Sequence, residues 1–351
     1  LSTVALGALV EKFGLQGQTL GEVAMGAVLK HSSDFNLARE ATLSSGLSPH
    51  TPGITITRAC GTGLDSLITV ANKIAVGQIE AGIGGGSDTT SDVPIAVSKK
   101  LRRRLLDLNR ARSLGERIKA ALKGFSLGEF KPEFPGVAEP RTGKSMGESC
   151  EDMAKQWQIR REDQDLLAYE SHQKAAAAYA RGFYSDLVMP LRGLDKDNIL
   201  RPDTTLEKLA TLKPAFDKRS GNGTLTAGNS TNLSDGASAA LLSSEAWAQA
   251  NGKEIQAYLV DAQVAAVDFV AGEGLLMAPA WAVAQLLKRN NLKLQDFDFY
   301  EIHEAFAAQV LCTLKAWESE EFCKTKLGMD GALGSIDRSK LNVVGSSLAL
   351  G

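Results

Sequence analysis

Cys60 sits in the run Arg58-Ala59-Cys60-Gly61-Thr62-Gly63, between two segments of different period. Before it, Ile54-Thr55-Ile56-Thr57 alternates as a half-buried strand does. After it, Leu64, Leu67, Ile68, Ala71, Ile74 and Ala75 recur at helical spacing. A cysteine at a strand-to-helix junction stands near the partial positive charge and unpaired N–H groups of a helix start. That placement favours a thiolate and lowers the thiol pKa. The flanking Gly61 and Gly63 let a carbonyl approach backbone N–H groups closely, as an oxyanion hole requires. The alternative is a buried structural cysteine, since free cysteine is commonly a small hydrophobe.

Two other segments carry polar groups at predicted sheet ends. Tyr300-Glu301-Ile302-His303-Glu304-Ala305-Phe306 also passes from strand to helix, and ligands of α/β sheets bind beyond strand carboxyl ends. A capping pair is the competing reading of His303 and Glu304. Residues 226–236, Thr-Ala-Gly-Asn-Ser-Thr-Asn-Leu-Ser-Asp-Gly, form a hydroxyl-rich loop of the kind that lines sites or simply turns the chain. Other signals fail. The glycine run 82–86 does not continue as a dinucleotide loop. No Walker loop, His-Glu-x-x-His or Cys-x-x-Cys is present. Cys312 and Cys323 have no histidine at metal spacing, so no metal site is expected. His31, His50 and His172 read as residues without chemistry.

The elements that must position these groups alternate between strand and helix, which predicts layered α/β architecture. Helices are expected over 1–13, 21–30 and 36–45, a strand over 54–57, a helix after Cys60 and a strand over 81–86. Helices over 145–157 and 161–181 follow, the second stopped by Gly182. Further strands are expected at 239–242, 257–262, 297–302 and 341–344, with helices from Pro279 and over 304–317. Residues 98–124 carry ten basic groups against two acidic ones, with leucines interleaved. Three readings apply to that stretch: a cradle for phosphate, a face for an anionic membrane, or a solvated helical face. The expected division is a core domain of residues 1–92 plus 222–250, a mostly helical inserted domain of 93–221, and a second core domain of 251–351.

Composition bounds the class. With 351 residues, 44% hydrophobic and 23% charged, the chain is ordered and too long for one small domain. A net charge of -2 gives no global field for nucleic acid, and none is expected as a partner. No run approaches the roughly 18 apolar residues of a membrane helix. Four cysteines in such a chain make no disulfide framework, and a reducing compartment is expected.

Three motifs in order resemble the thiolase family. Arg58-Ala59-Cys60-Gly61-Thr62-Gly63-Leu64 resembles its nucleophilic cysteine motif, and residues 226–237 resemble its second signature. His303-Glu304-Ala305-Phe306 resembles its Asn-Glu-Ala-Phe segment, with His for Asn. That exchange and the basic insertion beginning Ala96-Val97-Ser98-Lys99-Lys100-Leu101 are similar to thiolase β-subunits of the fatty-acid trifunctional complex and bacterial acetyl-CoA acyltransferase relatives. The resemblance implies a duplicated, layered α/β/α/β/α core with an inserted helical loop domain. It implies thiolysis of 3-ketoacyl-CoA through an acyl-Cys60 intermediate, in fatty-acid β-oxidation. Cys60 and His303 would be catalytic, with His303 standing where the family's Asn holds an oxyanion-hole water. Met146, Thr231, Ala305 and Phe306 would contact substrate or coenzyme A. Gly61, Gly63, Asn229 and Glu304 would support the oxyanion sites and loops.

No cofactor is implied beyond coenzyme A as substrate. Implied partners are acyl-CoA, a second copy or larger homo-oligomer, a hydratase/dehydrogenase subunit, and a membrane surface met through 98–124. A bacterial cytoplasm is the expected location, with a mitochondrial matrix as the alternative. The competing functions are a biosynthetic acetoacetyl-CoA thiolase, a ketoacyl synthase, and a non-catalytic thiolase-like scaffold or lipid-binding protein. The family's Gly-His-Pro and Cys-x-Gly motifs have no counterpart here, although residues 342–351 resemble the lead-in to the first. On this reading the first strand and the C-terminal end belong to a longer protein, and the chain as written should not turn over.

Overall fold

The computed structural model describes residues 1–351. They pack into two compact units: Leu1–Gly136 with Ser234–Ile255, and Val137–Leu233 with Gln256–Gly351. This grouping differs from the three-part division above by placing residues 98–124 with the first unit and residues 145–181 with the second. In chain order the elements begin α1 (Ser2–Lys12), β1 (Glu22–Gly26), α2 (Leu37–Leu43), β2 (Gly53–Ile56), α3 (Thr62–Ala75) and β3 (Ala81–Asp88). Then come β4 (Ala96–Val97), α4 (Lys99–Arg110), α5 (Leu114–Leu122), β5 (Pro132–Glu133), α6 (Met146–Gln156), α7 (Arg161–Ala180) and α8 (Leu206–Ala210). The last are β6 (Gly236–Ser243), α9 (Glu245–Ala250), α10 (Ala278–Asn290), α11 (Ala307–Glu318), α12 (Glu320–Thr325) and α13 (Ser347–Leu350).

The first unit is built on a sheet of order β2-β1-β3-β6. The first three strands are parallel, and β6 runs antiparallel to β3, with Val23 beside Ile83 and Ile83 beside Leu241. Val23, Met25 and Ile83 join Leu6 and Val10 of α1 and Ala38 and Ala41 of α2 in one apolar core. The face that receives α3 has almost no side chains. A Cβ on Gly26 would lie 1.8 Å from Thr62 Cγ2, one on Gly82 2.8 Å from Val70 Cγ1, and one on Gly84 2.7 Å from Leu67 Cα. Glycine at these positions is a steric requirement for seating the helix, because close-packed interiors do not absorb even one extra carbon freely.

The strand at 54–57, the helix after Cys60 and the small-residue strand at 81–86 form as expected, as β2, α3 and β3. The helix expected over 21–30 does not: residues 22–26 are β1. All five residues of β1 are buried, so the segment has no polar alternation to reveal its period. In the second unit the strand expected at 257–262 makes no ladder, and Tyr258, Leu259 and Val260 are exposed. Extended propensity alone does not make a strand; a neighbouring backbone must take its N–H and C=O groups. The strands expected at 297–302 and 341–344 shrink to a single parallel bridge, Tyr300 with Leu341. This unit is instead organised around helices, with Cys150, Met153, Leu167, Met277, Val310 and Trp317 in its core.

Within the basic stretch, Arg104 is buried. Its guanidinium pairs with Glu129 at 2.9 Å and donates to the carbonyls of Ala120 and Ala121 at 2.9 and 2.5 Å. It therefore ties α4 to α5 and is lost to any phosphate or membrane. The other nine basic residues of 98–124 are exposed.

We expect Gly84→Ala to destabilise the first unit by about 1–3 kcal/mol, because the added carbon meets the backbone of α3. Urea unfolding checks this, and an unchanged midpoint would show that the sheet face tolerates side chains.

Candidate active site

In the first unit the sequence builds a tight turn between β2 and α3. Ala59 adopts φ of 40°, the left-handed region that a non-glycine residue enters at a cost. Thr62 holds the turn: its hydroxyl donates to Ala59 O and accepts from Arg58 N, each at 2.7 Å. Arg58 pairs with Asp65 of α3 at 2.9 Å. The result presents Cys60 at the surface, just before the first turn of α3. Cys150, Cys312 and Cys323 are buried. A Cβ on Gly63 would meet nothing within 4 Å, so packing of the chain does not require glycine there, and the space above the helix start is left open.

The expected lowering of the Cys60 thiol is not what the site produces. Desolvation pushes the thiol above its ordinary value, against the pull of its own backbone N–H, and the Asp88 carboxylate adds to the rise. The helix start alone does not keep a thiolate here; a base must remove the proton when Cys60 reacts.

In the second unit two of the noted segments pair. Ser230 bridges Phe306, Thr231 N donates to Ala305 O at 3.0 Å, and Ala307 N donates to Asn229 O at 3.0 Å. This pairing keeps residues 303–306 extended, which is why α11 begins at Ala307 and not at Glu304. Asn229 is fully buried and works as the loop's internal strut. Its Oδ1 accepts from Thr226 N at 2.7 Å, and its Nδ2 donates to Asp165 at 2.9 Å and to Thr224 O at 3.2 Å. Met146 opens α6, beside Gly147, whose missing Cβ makes room for the Phe216 ring. Phe216 meets Phe306 edge to face at 5.7 Å. Met146, Thr231, Ala305 and Phe306 thus belong to one packed neighbourhood of the second unit.

His303 and Glu304 point to different fates. Glu304 is buried and collects three donors: Ser171 Oγ at 2.6 Å, Asn342 Nδ2 at 2.7 Å and Leu348 N at 3.4 Å. Burial raises its carboxyl above the usual range, while those donors pull it back. A carboxylate suits this position because every partner is a donor. His303 is solvent-accessible, yet desolvation lowers its pKa and favours the neutral ring. Its Nδ1 lies 2.5 Å from Ser347 Oγ.

Sequence reasoning had named Cys60, Gly61, Gly63, Met146, Asn229, Thr231, His303, Glu304, Ala305 and Phe306, and the structure divides them. Cys60, Gly61 and Gly63 belong to the first unit, and the others to the second. It missed Ser171, Asn342 and Ser347, which anchor Glu304 and His303. Single serines and asparagines in turns carry no pattern of their own; only the left-handed Asn342, at φ of 47°, hints at a special turn.

Comparison with known proteins follows the same residues. The model of the thiolase N-terminal domain matches residues 1–246, and that of the thiolase C-terminal domain matches residues 253–351. A 3-ketoacyl-CoA thiolase of Shewanella loihica is 42% identical over 349 residues, covering 98% of this chain and 79% of that protein. One of Pectobacterium carotovorum is 41% identical over the same shares. Among solved structures, human mitochondrial 3-ketoacyl-CoA thiolase in complex with CoA is 30% identical with a TM-score of 0.79, covering 100% of this chain and 80% of that one. The Bacillus anthracis acetyl-CoA acetyltransferase is 30% identical with a TM-score of 0.78, covering 100% and 81%.

Because desolvation raises the Cys60 thiol above its ordinary value, its rate of reaction with iodoacetamide should still be climbing at the pH where an unperturbed thiol levels off. Peptide-resolved alkylation measures this. A plateau well below that pH would mean a thiolate already stabilised in the free protein.

Proposed function

The chain belongs to the thiolase family, and from that premise we propose that it is a 3-ketoacyl-CoA thiolase working through Cys60. The observation that carries the assignment to Cys60 is its presentation: it is the exposed cysteine, on a strained turn ahead of α3, within the motif that resembles the family's nucleophile. The reaction is covalent catalysis in two halves. The Cys60 thiolate attacks the ketone carbon of 3-ketoacyl-CoA. The bond between that carbon and its neighbour on the thioester side breaks, and the departing enolate takes a proton to become acetyl-CoA. The shortened acyl group stays on Cys60 as a thioester. The thiolate of coenzyme A then attacks that carbonyl, and Cys60 leaves and regains its proton.

Each half passes through a tetrahedral oxyanion, whose stabilisation by fixed donors is commonly the largest catalytic contribution. On the proposed reading the Cys60 N–H serves one oxyanion position and His303 serves the other. Met146, Thr231, Ala305 and Phe306 receive the pantetheine and thioester. The pairing of 229–231 with 305–307 supports this, since it fixes the two loops against each other before substrate arrives. Gly61 and Gly63 leave the approach to Cys60 open. Glu304 and Asn229 act by holding their loops.

Relatives at 42% identity are named 3-ketoacyl-CoA thiolase, and this supports the degradative reading. Assembly into a homo-oligomer, a hydratase/dehydrogenase partner, membrane contact through the exposed basic residues of 98–124 and a bacterial cytoplasmic location complete the proposal.

Initial rates over a grid of 3-ketoacyl-CoA and CoA concentrations test it. Parallel double-reciprocal lines are expected, and Cys60→Ala should lose at least about 10⁴-fold in kcat. Intersecting lines with an active Cys60→Ala variant would remove the covalent mechanism. Absence of thiolysis with the folded full-length protein would favour the scaffold reading.

A further inference from the structure

His303 has one hydrogen-bond partner, and that partner is held by everything around it. Ser347 Oγ lies 2.5 Å from His303 Nδ1 and bonds to no other group of the chain. Ser347 O accepts from Thr231 Oγ1 at 2.8 Å and from Gly351 N at 2.9 Å. On one side, Ser346 N donates to Ser171 Oγ at 3.1 Å. On the other, Leu348 N donates to Glu304 Oε2 at 3.4 Å. The turn that leads into this segment is fixed as well. Gly345 has φ of 80°, and a Cβ there would lie 2.5 Å from Ala175 Cβ on α7. The Ser347 hydroxyl therefore sits on a braced backbone and not on a mobile loop.

A neutral imidazole has one N–H and one bare nitrogen, and the bond made by one nitrogen decides the state of the other. A serine hydroxyl carries one proton. With the imidazole as its sole partner in the chain, that proton is best placed on the Nδ1 lone pair. If Nδ1–H donated instead, the hydroxyl proton would have no acceptor in the protein. We propose that Ser347 is a positioning residue that holds His303 in its Nε2–H form, so that the ring offers a donor from the side away from Ser347. This deepens, and rests on, the reading in which His303 serves an oxyanion. A ring in the opposite tautomer would turn a lone pair toward developing negative charge, which repels it. Ser347 touches no reacting atom on this account; it acts through the ring.

The protein has four histidines, so ¹⁵N-histidine labelling gives a resolvable spectrum. Long-range ¹H–¹⁵N correlation distinguishes the two neutral tautomers, and His303→Gln assigns the signal. The expected result is a single Nε2–H tautomer in wild type, a mixture in Ser347→Ala, and return of the single form in Ser347→Thr, which keeps the hydroxyl. Acyl-transfer rates should follow: Ser347→Ala lowers kcat about tenfold with KM changed less than about twofold, and Ser347→Thr recovers most of it. An Nδ1–H tautomer in wild type, or an unchanged Nε2–H signal in Ser347→Ala, overturns the proposal. Signals of His31, His50 and His172 report whether the variant is folded; if it is not, the wild-type tautomer decides alone. Acylation of Cys60 is followed separately. A correct tautomer with an inert Cys60 would remove the functional reading and leave Ser347's hold on the ring standing.

Discussion

The closeness of α3 to its sheet is the constraint from which the first unit's chemistry follows. Gly26 on β1 and Gly82 and Gly84 on β3 have no side chains where α3 lies, and a Cβ at any of them would collide with the helix. The helix can therefore settle onto the strands, with Val70 and Leu67 filling the face. Its start is then forced into a short turn after β2. The left-handed Ala59 and the two hydrogen bonds of the Thr62 hydroxyl are what that turn costs and what offsets it. The turn leaves Cys60 exposed, ahead of the first turn of α3. On the other face, α1 and α2 bury the apolar side chains of the sheet.

In the second unit the corresponding role falls to one buried carboxylate. Glu304 gathers Ser171 from α7, Asn342 from the turn after the Tyr300–Leu341 bridge, and the amide of Leu348 on α13. Burying a charge is expensive unless donors surround it, and three donors meet that demand. The bond network then orders the backbone on both sides of His303. Reactive and supporting roles thus sit on adjacent residues: His303 is open to solvent and Glu304 is closed to it. This division explains how an exposed imidazole keeps a fixed orientation.

Much of this was legible in the chain. The alternation of 54–57, the helical spacing after Cys60 and the three ordered motifs gave the strand–turn–helix unit and the family. What failed has physical reasons. The helix expected over 21–30 gives way to a strand over 22–26, because a strand buried on both faces shows no alternation. At 257–262 the composition favours extension but supplies no ladder partner. The helix start was expected to lower the Cys60 thiol, and desolvation outweighed it. Arg104 was counted in a basic face, yet it is an internal tie to Glu129, which only packing reveals. Ser347 and Asn342 matter through contacts with residues about 40 positions away, which no local spacing encodes.

The central claim is that an acyl group passes through Cys60. Intact mass spectrometry after exposure to a 3-ketoacyl-CoA, followed by peptide mapping, tests it most directly. The account predicts an added acyl mass on the peptide containing Cys60, removed when coenzyme A is supplied. A folded protein that forms no adduct, or carries the acyl group on another residue, would contradict it.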